Sequence, residues 1–559
     1  MAASERTDPR VDNRPLLATI LAGVRLLLNL EQPLLGYLLA YAASIGLLSL
    51  IVPLTVQELV NTFAYAIQPI TIVTLAGIMV LILLSVGAFR ALQLYAVEML
   101  EERLFARIAL SMTRLLLDLK MQGFRPKHAN YFVETVFLQR AVSTLLTDVI
   151  NVVVGSLSGM AILVLYHPVL FLYIVVLFTG GAALVGSLNY GGLRATLAMS
   201  HAKYETLNWL QEIAGNLLHF KVAGSQPLLL RRTDQLVAAY LTARQTRFRV
   251  LLRQYLGSVG WQALGHSGLI AIAGWLMADG QLTLGQFVAA EVIVSALLLS
   301  FDSIVKRMGH VFYFFTAVVE LESLFSLPKD IEKGKTRHAI SDSPTHGLRL
   351  TCRDISFAYP ESAPVFQGLD LEVAPGEKVA ALMQSGTGKS TLAFILSGLF
   401  APTTGVVLYN GVDLRDADGG SLNACRGFVP DANLTLFEGT LEDNIAMGRP
   451  SVTYQDIQWA LRFVGLEDEI GMLPRGLGTP ILARGQAFTT SHVARILTAR
   501  AIVVRPQLLV LDGGLLSVPK SHREIILRRL CSKEEPWTLV IVTNEPEVSG
   551  QVERRIVVG

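Results

Sequence analysis

The residues best suited to chemistry begin with a glycine-rich run, MQSGTGKST, at 383–391. It follows the predicted strand EKVAAL and begins the helical segment TLAFILSGLF. In that setting backbone N–H groups and a helix N-terminus form a concave cradle for phosphates. We expect Lys389 to reach the β- and γ-phosphates of a nucleotide, and the Ser390 hydroxyl to ligate Mg²⁺. The predicted binding residues of this run are Ser385, Gly386, Thr387, Gly388, Lys389, Ser390 and Thr391.

A second run, LLVLD at 508–512, ends in Asp512. Its four apolar residues predict a buried strand, and a carboxylate at the end of such a strand is placed to hold Mg²⁺ and its water shell. Either run alone also fits a glycine turn or an ordinary core strand. Because they occur in this order, 512 − 389 = 123 residues apart, together they predict a site for a nucleotide and Mg²⁺.

These two runs need a scaffold, and the C-terminal part of the chain supplies one. Short β-rich runs such as LRLTCRDISFAY, GVVLYN and TLVIVT alternate with helical stretches, including Tyr454–Val464. This alternation predicts an α/β domain with a largely parallel sheet over residues 348–559. The preceding residues, 326–347, are polar and contain proline and glycine, which predicts a linker.

The overall composition is that of a membrane protein. Hydrophobic residues make up 52% and charged residues 16% of the 559, whereas an average soluble domain has about 45–50% and 25%. The net charge is only 47 − 45 = +2, so disorder and a nucleic-acid-binding surface are both disfavoured. The three cysteines have no CxxC spacing, and we therefore predict neither a disulfide framework nor a zinc site.

Lysine and arginine are absent from three long blocks, 26–89, 141–193 and 254–305. Each block is long enough for two membrane-spanning helices of about 20 residues, and this threefold pattern disfavours a large soluble helical core. The predicted spans are 33–55, 70–89, 144–166, 168–187, 257–277 and 285–305. The positive-inside rule then places the cation-rich segments, the N-terminus and everything after Arg307 in the cytoplasm.

The predicted transmembrane domain therefore covers residues 32–325. Residues 1–31 are predicted to form a cytoplasmic segment whose helix lies along the inner membrane surface. Glu291 and His266 lie inside predicted spans, where substrate contact, a hydrogen bond between helices and a place near the outer interface all stay open. For Asp148, near a cytoplasmic span end, we expect solvent exposure.

Six spans followed by a P-loop domain on one chain resemble an ABC-transporter half-molecule of the exporter type. The resemblance implies an α-helical six-span transmembrane domain followed by an α/β P-loop nucleotide-binding domain of the ABC type. Tyr359, in FAYP, matches the aromatic residue that stacks on adenine in that family. In the family two halves pair and bind two ATP molecules, each between one half's P-loop and the other half's signature motif.

The resemblance also implies partners and a location. The implied partners are a second half-transporter, identical or different, membrane lipid and a transported substrate that no residue here identifies. Nucleic acid is not among them. The implied location is a bacterial inner membrane, with the nucleotide-binding domain in the cytoplasm.

Several positions depart from the family's motifs. Met383 replaces the first P-loop glycine, Asp431 the Q-loop glutamine, Gly513 the catalytic glutamate and Asn544 the switch histidine, and Pro519 replaces the D-loop aspartate. If position 383 requires a positive φ, its side chain costs about 1–2 kcal/mol. An added anion at position 431 would either disfavour the phosphates or recruit another cation.

The signature motif is assigned by its distance from Pro506, which in the family lies 14 residues after the last residue of the motif. His492 meets this spacing, whereas the LARGQ run at 482–486 ends too early. The predicted counterpart is therefore FTTSH, which comprises Phe488, Thr489, Thr490, Ser491 and His492. Both signature glycines are replaced, but Thr489 keeps a hydroxyl at the expected helix N-cap.

These substitutions predict a half-transporter that binds ATP and hydrolyses it weakly or not at all, because loss of a general base typically costs about 10²–10⁴ in rate. No catalytic residue is intact, since Gly513 and Asn544 occupy the base and switch positions. If the partner is intact, the site on the partner's P-loop lacks only the signature. The alternative is a catalytically inactive pseudo-ATPase that acts as a structural or regulatory membrane subunit.

Overall fold

A computed structural model describes residues 32–65, 69–120, 126–329, 338–340, 347–360, 362–431, 434–482 and 488–558. The predicted interfacial segment 1–31 and most of the predicted linker lie outside the described residues. The described chain divides into two compact units. The first comprises 32–119 and 126–329, and the second comprises Lys120 and the described residues from 338 onward.

The first unit consists of helices, because its sequence has long apolar runs with few breaks. A 3₁₀ segment, Pro126–Val133, precedes the helix that begins at Glu134, and a π-helical turn, Leu145–Val149, joins that helix to the one that begins at Ile150. The described helices are α1 (Gln32–Ser49), α2 (Ile51–Tyr65), α3 (Pro69–Asp118), α4 (Glu134–Thr144), α5 (Ile150–Tyr166), α6 (Pro168–Leu188), α7 (Gly192–Gly215), α8 (Leu217–Val222), α9 (Gln226–Ala278), α10 (Leu284–Lys306) and α11 (Met308–Phe325).

Local signals set the turn between α9 and α10. Gly280 takes a positive φ of 70°, which glycine adopts without strain. Thr283 then caps α10: its side chain accepts a hydrogen bond from the Gln286 backbone, and the Gln286 side chain accepts one from the Thr283 backbone. The chain reverses over these few residues, so α9 and α10 pack against each other as a hairpin.

Two helices are much longer than a bilayer is thick. α3 has 50 residues and α9 has 53. At 1.5 Å per residue they are about 75 and 80 Å long, whereas the hydrocarbon core measures about 30 Å. Both helices therefore extend well beyond the membrane, which agrees with the cation-rich segments predicted between the apolar blocks.

Six described helical stretches are long and apolar enough to cross a membrane. Five of them contain predicted spans: Gln32–Phe63, Pro69–Asp118, Asn130–Tyr166, Pro168–Leu188 and Leu284–Lys306. The sixth is Met308–Phe325, which we expected in the cytoplasm. The predicted span 257–277 lies within α9 and is not among the six. Its five glycines, together with Gln262 and His266, lower its mean hydropathy.

The junction between α10 and α11 helps to decide whether 257–277 or 308–325 crosses the membrane. Arg307 alone separates the two helices, and its φ and ψ are −93° and 5°. Its backbone N–H donates to the carbonyls of Ser303 and Ile304, as in a helix. One near-helical residue cannot reverse the chain, so α11 continues in the direction of α10. Together they span 325 − 284 + 1 = 42 residues, about 63 Å, which again exceeds the bilayer core. We therefore keep 257–277 as the predicted crossing.

The second unit is built on a five-stranded, fully parallel sheet. The described strands are β1 (Leu350–Ala358), β2 (Pro364–Val373), β3 (Lys378–Leu382), β4 (Thr404–Tyr409), β5 (Val412–Asp413), β6 (Arg426–Val429), β7 (Gly439–Thr440), β8 (Pro480–Ile481), β9 (Leu508–Asp512), β10 (Thr538–Thr543) and β11 (Arg554–Val557). The parallel sheet has the order β11-β3-β10-β9-β6, and it is accompanied by a four-stranded antiparallel sheet, β2-β1-β4-β5, and a short pair, β7-β8.

Helices accompany this sheet as the alternating pattern predicts. They are α12 (Lys389–Leu396), α13 (Gly419–Cys425), α14 (Leu441–Ala446), α15 (Tyr454–Val464), α16 (Glu467–Gly471), α17 (Thr490–Ile502), α18 (Lys520–Leu530) and α19 (Pro546–Ser549). The predicted fold class, with helices that can cross a membrane followed by an α/β P-loop unit, is confirmed. The antiparallel sheet was not predicted.

The register of the parallel sheet decides which residues meet at its edge. Thr543 pairs with Leu382, Val542 with Asp512, and Val429 lies opposite Leu511. The carboxyl ends of β3, β10, β9 and β6 therefore lie side by side. In open α/β sheets ligands bind in the crevice outside these ends.

Candidate nucleotide-binding site

The P-loop connects β3 to α12 and takes its shape from two glycines. Gly386 and Gly388 have φ values of 84° and 98°, in the region that disfavours side chains. A Cβ at 388 would lie 2.1 Å from Val365 Cγ1, whereas one at 386 would meet nothing within 4 Å. The Thr387 hydroxyl donates to the Gln384 carbonyl at 2.8 Å and closes the loop. Open space above Gly386 is what a phosphate cradle needs.

The backbone strain that a positive φ would cause at Met383 is absent. Met383 is not among the residues with positive φ, and its backbone N–H donates to the Thr543 carbonyl at 3.1 Å. Its side chain is buried in a core cluster that also contains residues of both sheets and of α12. The expected cost of 1–2 kcal/mol therefore does not arise, because the residue continues the extended path of β3.

Lys389 and Asn544 meet at the edge of the sheet. The Lys389 Nζ donates to Asn544 Oδ1 at 2.6 Å. Lys389 begins α12, and Asn544 directly follows β10. Asn544 thus lies beside the lysine predicted to reach the phosphates. Its amide is neutral and supplies one carbonyl oxygen to this contact.

Asp512 ends β9 and accepts a hydrogen bond from the Ser390 side chain. Burial raises the pKa of the Asp512 carboxyl, while that hydrogen bond and the charge of Lys389 oppose the rise. A hydroxyl and a carboxylate in contact are the oxygen ligands that Mg²⁺ prefers. No cluster of three or more His, Cys, Asp or Glu suited to a metal occurs in the described chain. Mg²⁺ usually completes its shell with phosphate and water, so the donor set fits it.

Asp431 occupies space beside Gly513. A Cβ at Gly513 would lie 2.4 Å from Asp431 Oδ2 and 2.6 Å from its Cγ. Burial raises the pKa of the Asp431 carboxyl; the hydrogen bond from the Leu516 backbone N–H opposes this rise, and the Asp512 charge adds to it. The structure thus brings the substituted Q-loop and catalytic-glutamate positions into direct proximity, which the sequence did not predict.

Tyr359, the predicted adenine contact, lies against the P-loop helix, α12. Its hydroxyl forms a 2.9 Å hydrogen bond with Thr391 Oγ1, in the first turn of α12. Its ring packs edge-on against Phe357 and Phe400. The side chain is 41% exposed, so a planar base has access to it. Ser385 is exposed in the same loop.

The predicted signature counterpart begins α17. Thr489 is the N-cap, and its hydroxyl accepts from the His492 backbone N–H at 3.3 Å and contacts His492 Nδ1 at 2.6 Å. The His492 Nε2 lies 2.6 Å from Glu469 Oε2, and Arg495 forms two hydrogen bonds with the same carboxylate, at 2.7 and 3.1 Å. Phe488 packs edge-on against the His492 ring.

The predicted N-cap is therefore present, but its hydroxyl has an intramolecular partner. Thr490 is exposed, and the Ser491 hydroxyl is buried with no hydrogen-bond partner among the described residues. The rival run at 482–486 lies mostly outside the described residues. Sequence reasoning missed Glu469 and Arg495, because only the packing of α16 against α17 brings them to His492.

Two further predictions concern the helical unit. His266 Nδ1 lies 3.0 Å from Glu291 Oε1, and the Ser295 hydroxyl donates to the same oxygen at 3.1 Å. A hydrogen bond between helices is thus present, one of the three alternatives left open. The expectation for Asp148 was wrong, because its carboxylate is partly buried and forms an ion pair with Arg307.

Comparison with known proteins identifies the second unit. Residues 366–514 match the family model described as ABC transporter. Over 95% of the chain, the structure superposes with a TM-score of 0.84 and 19% identity on 94% of a bacterial Atm1-family ABC exporter whose structure has ATP bound. The chain has the fold of an ABC exporter half-molecule. Its P-loop unit is an ABC domain, which implies ATP binding, and the chain is an integral, multi-pass membrane protein.

Relatives of known name agree with this fold. A multidrug efflux ATP-binding/permease protein of Mycobacterium tuberculosis is 31% identical over 66% of this chain and 31% of its own length. The alpha-hemolysin translocation ATP-binding protein of Escherichia coli is 25% identical over 60% of this chain and 47% of its own length. The alignments thus span a third to a half of these relatives.

Proposed function

We propose that this chain is the ATP-binding half of an ABC exporter that pairs with a second half-transporter and moves a substrate across the membrane. Its own hydrolysis of ATP is weak or absent. Mg²⁺ accompanies ATP at Ser390 and Asp512, Lys389 contacts the terminal phosphates, and Tyr359 stacks on the adenine. The location is a bacterial inner membrane, with the ABC domain in the cytoplasm.

One observation carries this proposal: a complete phosphate cradle lies beside altered hydrolytic positions. Gly386 opens on free space and Lys389 faces the carboxyl end of β10. At that end, Asn544 stands where a histidine would carry charge, and Gly513 has no side chain. Binding groups are thus retained, whereas groups that polarise the attacking water are replaced.

The pairing follows from the same residues. In a homodimer both sites would face the altered sequence Phe488–His492. With an intact partner, one site would combine the partner's P-loop, base and switch histidine with this chain's Thr489. That site alone is suited to ordinary turnover, so we favour an intact second half as the partner.

The test uses the full chain in nanodiscs. We expect it to bind a fluorescent ATP analogue in the presence of Mg²⁺, and Lys389→Ala to weaken that binding at least tenfold. ATP turnover should be no more than about 10⁻² of that of an intact exporter, given the usual contribution of a general base. Robust turnover that Asp512→Asn abolishes would contradict weak hydrolysis, and absence of binding would contradict the proposal as a whole.

A second candidate is a structural or regulatory membrane subunit without transport. The contact of Thr489 with His492, held by Glu469, favours it, because the hydroxyl that would face a partner's phosphate is already engaged. This candidate predicts no movement of substrate even when ATP binds. Affinity capture from native membranes separates the two: an intact second half favours a pump, and stable self-dimers without turnover favour the subunit.

A further inference from the structure

The side chain of Asp431 fills the place that residue 513 leaves open. An ideal Cβ at Gly513 would lie 2.4, 2.6 and 2.8 Å from Asp431 Oδ2, Cγ and Cβ, all below any normal carbon contact. Gly513 also has a φ of 96°, where other residues are strained. The present position of the Asp431 side chain therefore requires a glycine at 513, because any side chain at 513 would force Asp431 to move.

The strand order places this carboxylate at the edge of the sheet that carries the P-loop. Asp431 lies two residues after β6, whose neighbour β9 ends in Asp512. Beyond β9, β10 leads to Asn544, whose side chain binds Lys389. The Leu516 backbone N–H donates to the Asp431 carboxylate and orients it. The Asp431 carboxylate thus lies beside the residue after Asp512, in the space into which a Cβ at position 513 would project.

We propose that Asp431 is the chain's own hydrolytic carboxylate, so that intrinsic ATP hydrolysis is weak rather than absent. The proposal rests on the proposed function, since it requires ATP at the P-loop. Asp431 orients a water molecule and accepts its proton as the water oxygen bonds to the γ-phosphorus. The bond from that phosphorus to the β,γ-bridging oxygen breaks, and its electron pair leaves with ADP. Asp431 then releases the proton to solvent with the phosphate.

The first experiment compares Asp431→Asn with the wild-type chain in nanodiscs. We expect turnover to fall at least tenfold, to the level of Asp512→Asn, while affinity for trinitrophenyl-ATP with Mg²⁺ stays within about threefold. Asp431→Glu should retain more turnover than Asp431→Asn. The control is Asp416→Asn, an exposed aspartate of the same unit, which should change neither quantity.

Three results would overturn the assignment while leaving ATP binding intact. They are unchanged turnover in Asp431→Asn, wild-type turnover no higher than that of Asp512→Asn, and a loss in Asp431→Asn that excess Mg²⁺ restores. The last would mean that Asp431 holds the metal rather than the proton. Failure of the wild-type chain to bind trinitrophenyl-ATP would instead contradict the proposed function, and this inference with it.

A second measurement tests the contact without any turnover. Gly513→Ala should lower Tm, because its Cβ displaces Asp431. In an Asp431→Gly background the same Gly513→Ala change should lower Tm by a smaller amount, since only the backbone strain remains. An equal fall in both backgrounds would show that the two positions do not share this space, and would overturn the proposal.

Discussion

Glu134, the first residue of α4, is a buried carboxylate held by donors of α7. Its Oε1 accepts from Lys203 at 2.6 Å, from Tyr204 at 2.8 Å and from Ser200 at 3.2 Å. Glu134 is 1% exposed and Tyr204 3%, whereas about a third of the Lys203 side chain reaches solvent. Loss of the carboxylate would therefore leave the buried Tyr204 hydroxyl without an acceptor. The effect on Lys203 would be smaller, because its side chain reaches solvent.

We predict that Glu134→Ala lowers the free energy of unfolding by about 1–3 kcal/mol, the usual cost of a buried donor left unsatisfied. Denaturation with SDS in mixed micelles measures the change. Glu205→Ala, an exposed glutamate of α7, serves as the control and should have no effect. A Glu134→Ala variant as stable as the control would mean that water replaces the carboxylate.

The residues that sequence predicted well are those whose roles depend on neighbours along the chain. Lys389 and Ser390 follow a strand and begin a helix, and Thr489 caps α17, because such geometry is encoded within about ten residues. The contacts of Asp431 with position 513, and of Glu134 with α7, join residues 60 or more apart. No local pattern encodes those contacts, so the residue types could be read from the chain but the pairs could not.

At the scale of elements, α9 and α10 are joined by polar contacts within the predicted membrane. His266 and Glu291 form one of them, at 3.0 Å. A second contact, nearer the cytoplasmic ends, joins the Ser258 hydroxyl to Asp302 at 3.4 Å. In lipid such contacts hold helices together, but each contributes modestly, because the unfolded state in the membrane also finds partners.

We predict a coupling of about 0.6 kcal/mol, and at most about 1.7, between His266 and Glu291. The measurement is a double-mutant cycle of His266→Ala, Glu291→Ala and the double variant, with stability read from SDS denaturation. Strictly additive effects would mean that the two side chains do not stabilise the hairpin. Ser295→Ala added to the cycle reports how much of the Glu291 contribution that hydroxyl carries.

A second pair of elements, α16 and α17, is joined by one carboxylate. Glu469 of α16 binds both His492 and Arg495 of α17, and the Arg495 side chain is only 5% exposed. The hydrogen bonds from Arg495, and then that from His492, hold the pKa of the Glu469 carboxyl below its ordinary value. A lowered pKa means that the anion stabilises the fold above the ordinary pKa of about 4.3, and that this contribution is lost as the pH falls through the folded-state pKa.

We therefore predict that Glu469→Gln lowers Tm at pH 7 and that the difference from wild type disappears near pH 3. Thermal unfolding of both proteins over this pH range measures it. Asp468→Asn, the exposed neighbouring residue, should follow the wild-type curve at every pH. A difference that persists at low pH would place the effect in packing rather than in charge.

The prediction of strands and helices succeeded where one hydrophobic period continues along the segment. It failed where a glycine ends a helix early or where a strand pairs with another strand far along the chain. The helix Tyr454–Val464 has the predicted bounds, because its apolar residues follow helical spacing and Thr453 caps it. α12, by contrast, ends at Leu396 although the apolar run continues to Phe400, since Gly398 takes a φ of 69°. The antiparallel sheet was missed because β1 pairs with β4, about 50 residues away along the chain.

At the scale of the whole molecule, the distribution of lysine and arginine predicts how the chain crosses the membrane. The cation-free block 254–305 contains the turn between α9 and α10 at 279–283. If 257–277 crosses, this turn lies outside the cell. If 308–325 crossed in its place, the turn would lie inside. The mean hydropathy of these helices favours 308–325, whereas the direction of α11 and the cation distribution favour 257–277.

We predict that Gln281→Cys, in this turn, reacts with a membrane-impermeant maleimide in intact cells, because the turn lies outside. Tyr190→Cys, an exposed position between α6 and α7, should react only after the membrane is permeabilised, since the segment that follows is cation-rich. Cys352 and Cys425 are buried and Cys531 is partly exposed in the ABC domain, so the unmodified chain should remain unlabelled from outside. Labelling of Gln281→Cys only after permeabilisation would contradict the crossing at 257–277 and assign it to 308–325 instead. Both assignments have six crossings, so the ABC domain lies on the side of the N-terminus in either case. Cys531 should therefore stay unlabelled from outside under both assignments, and only the side of the turn at Gln281 distinguishes them.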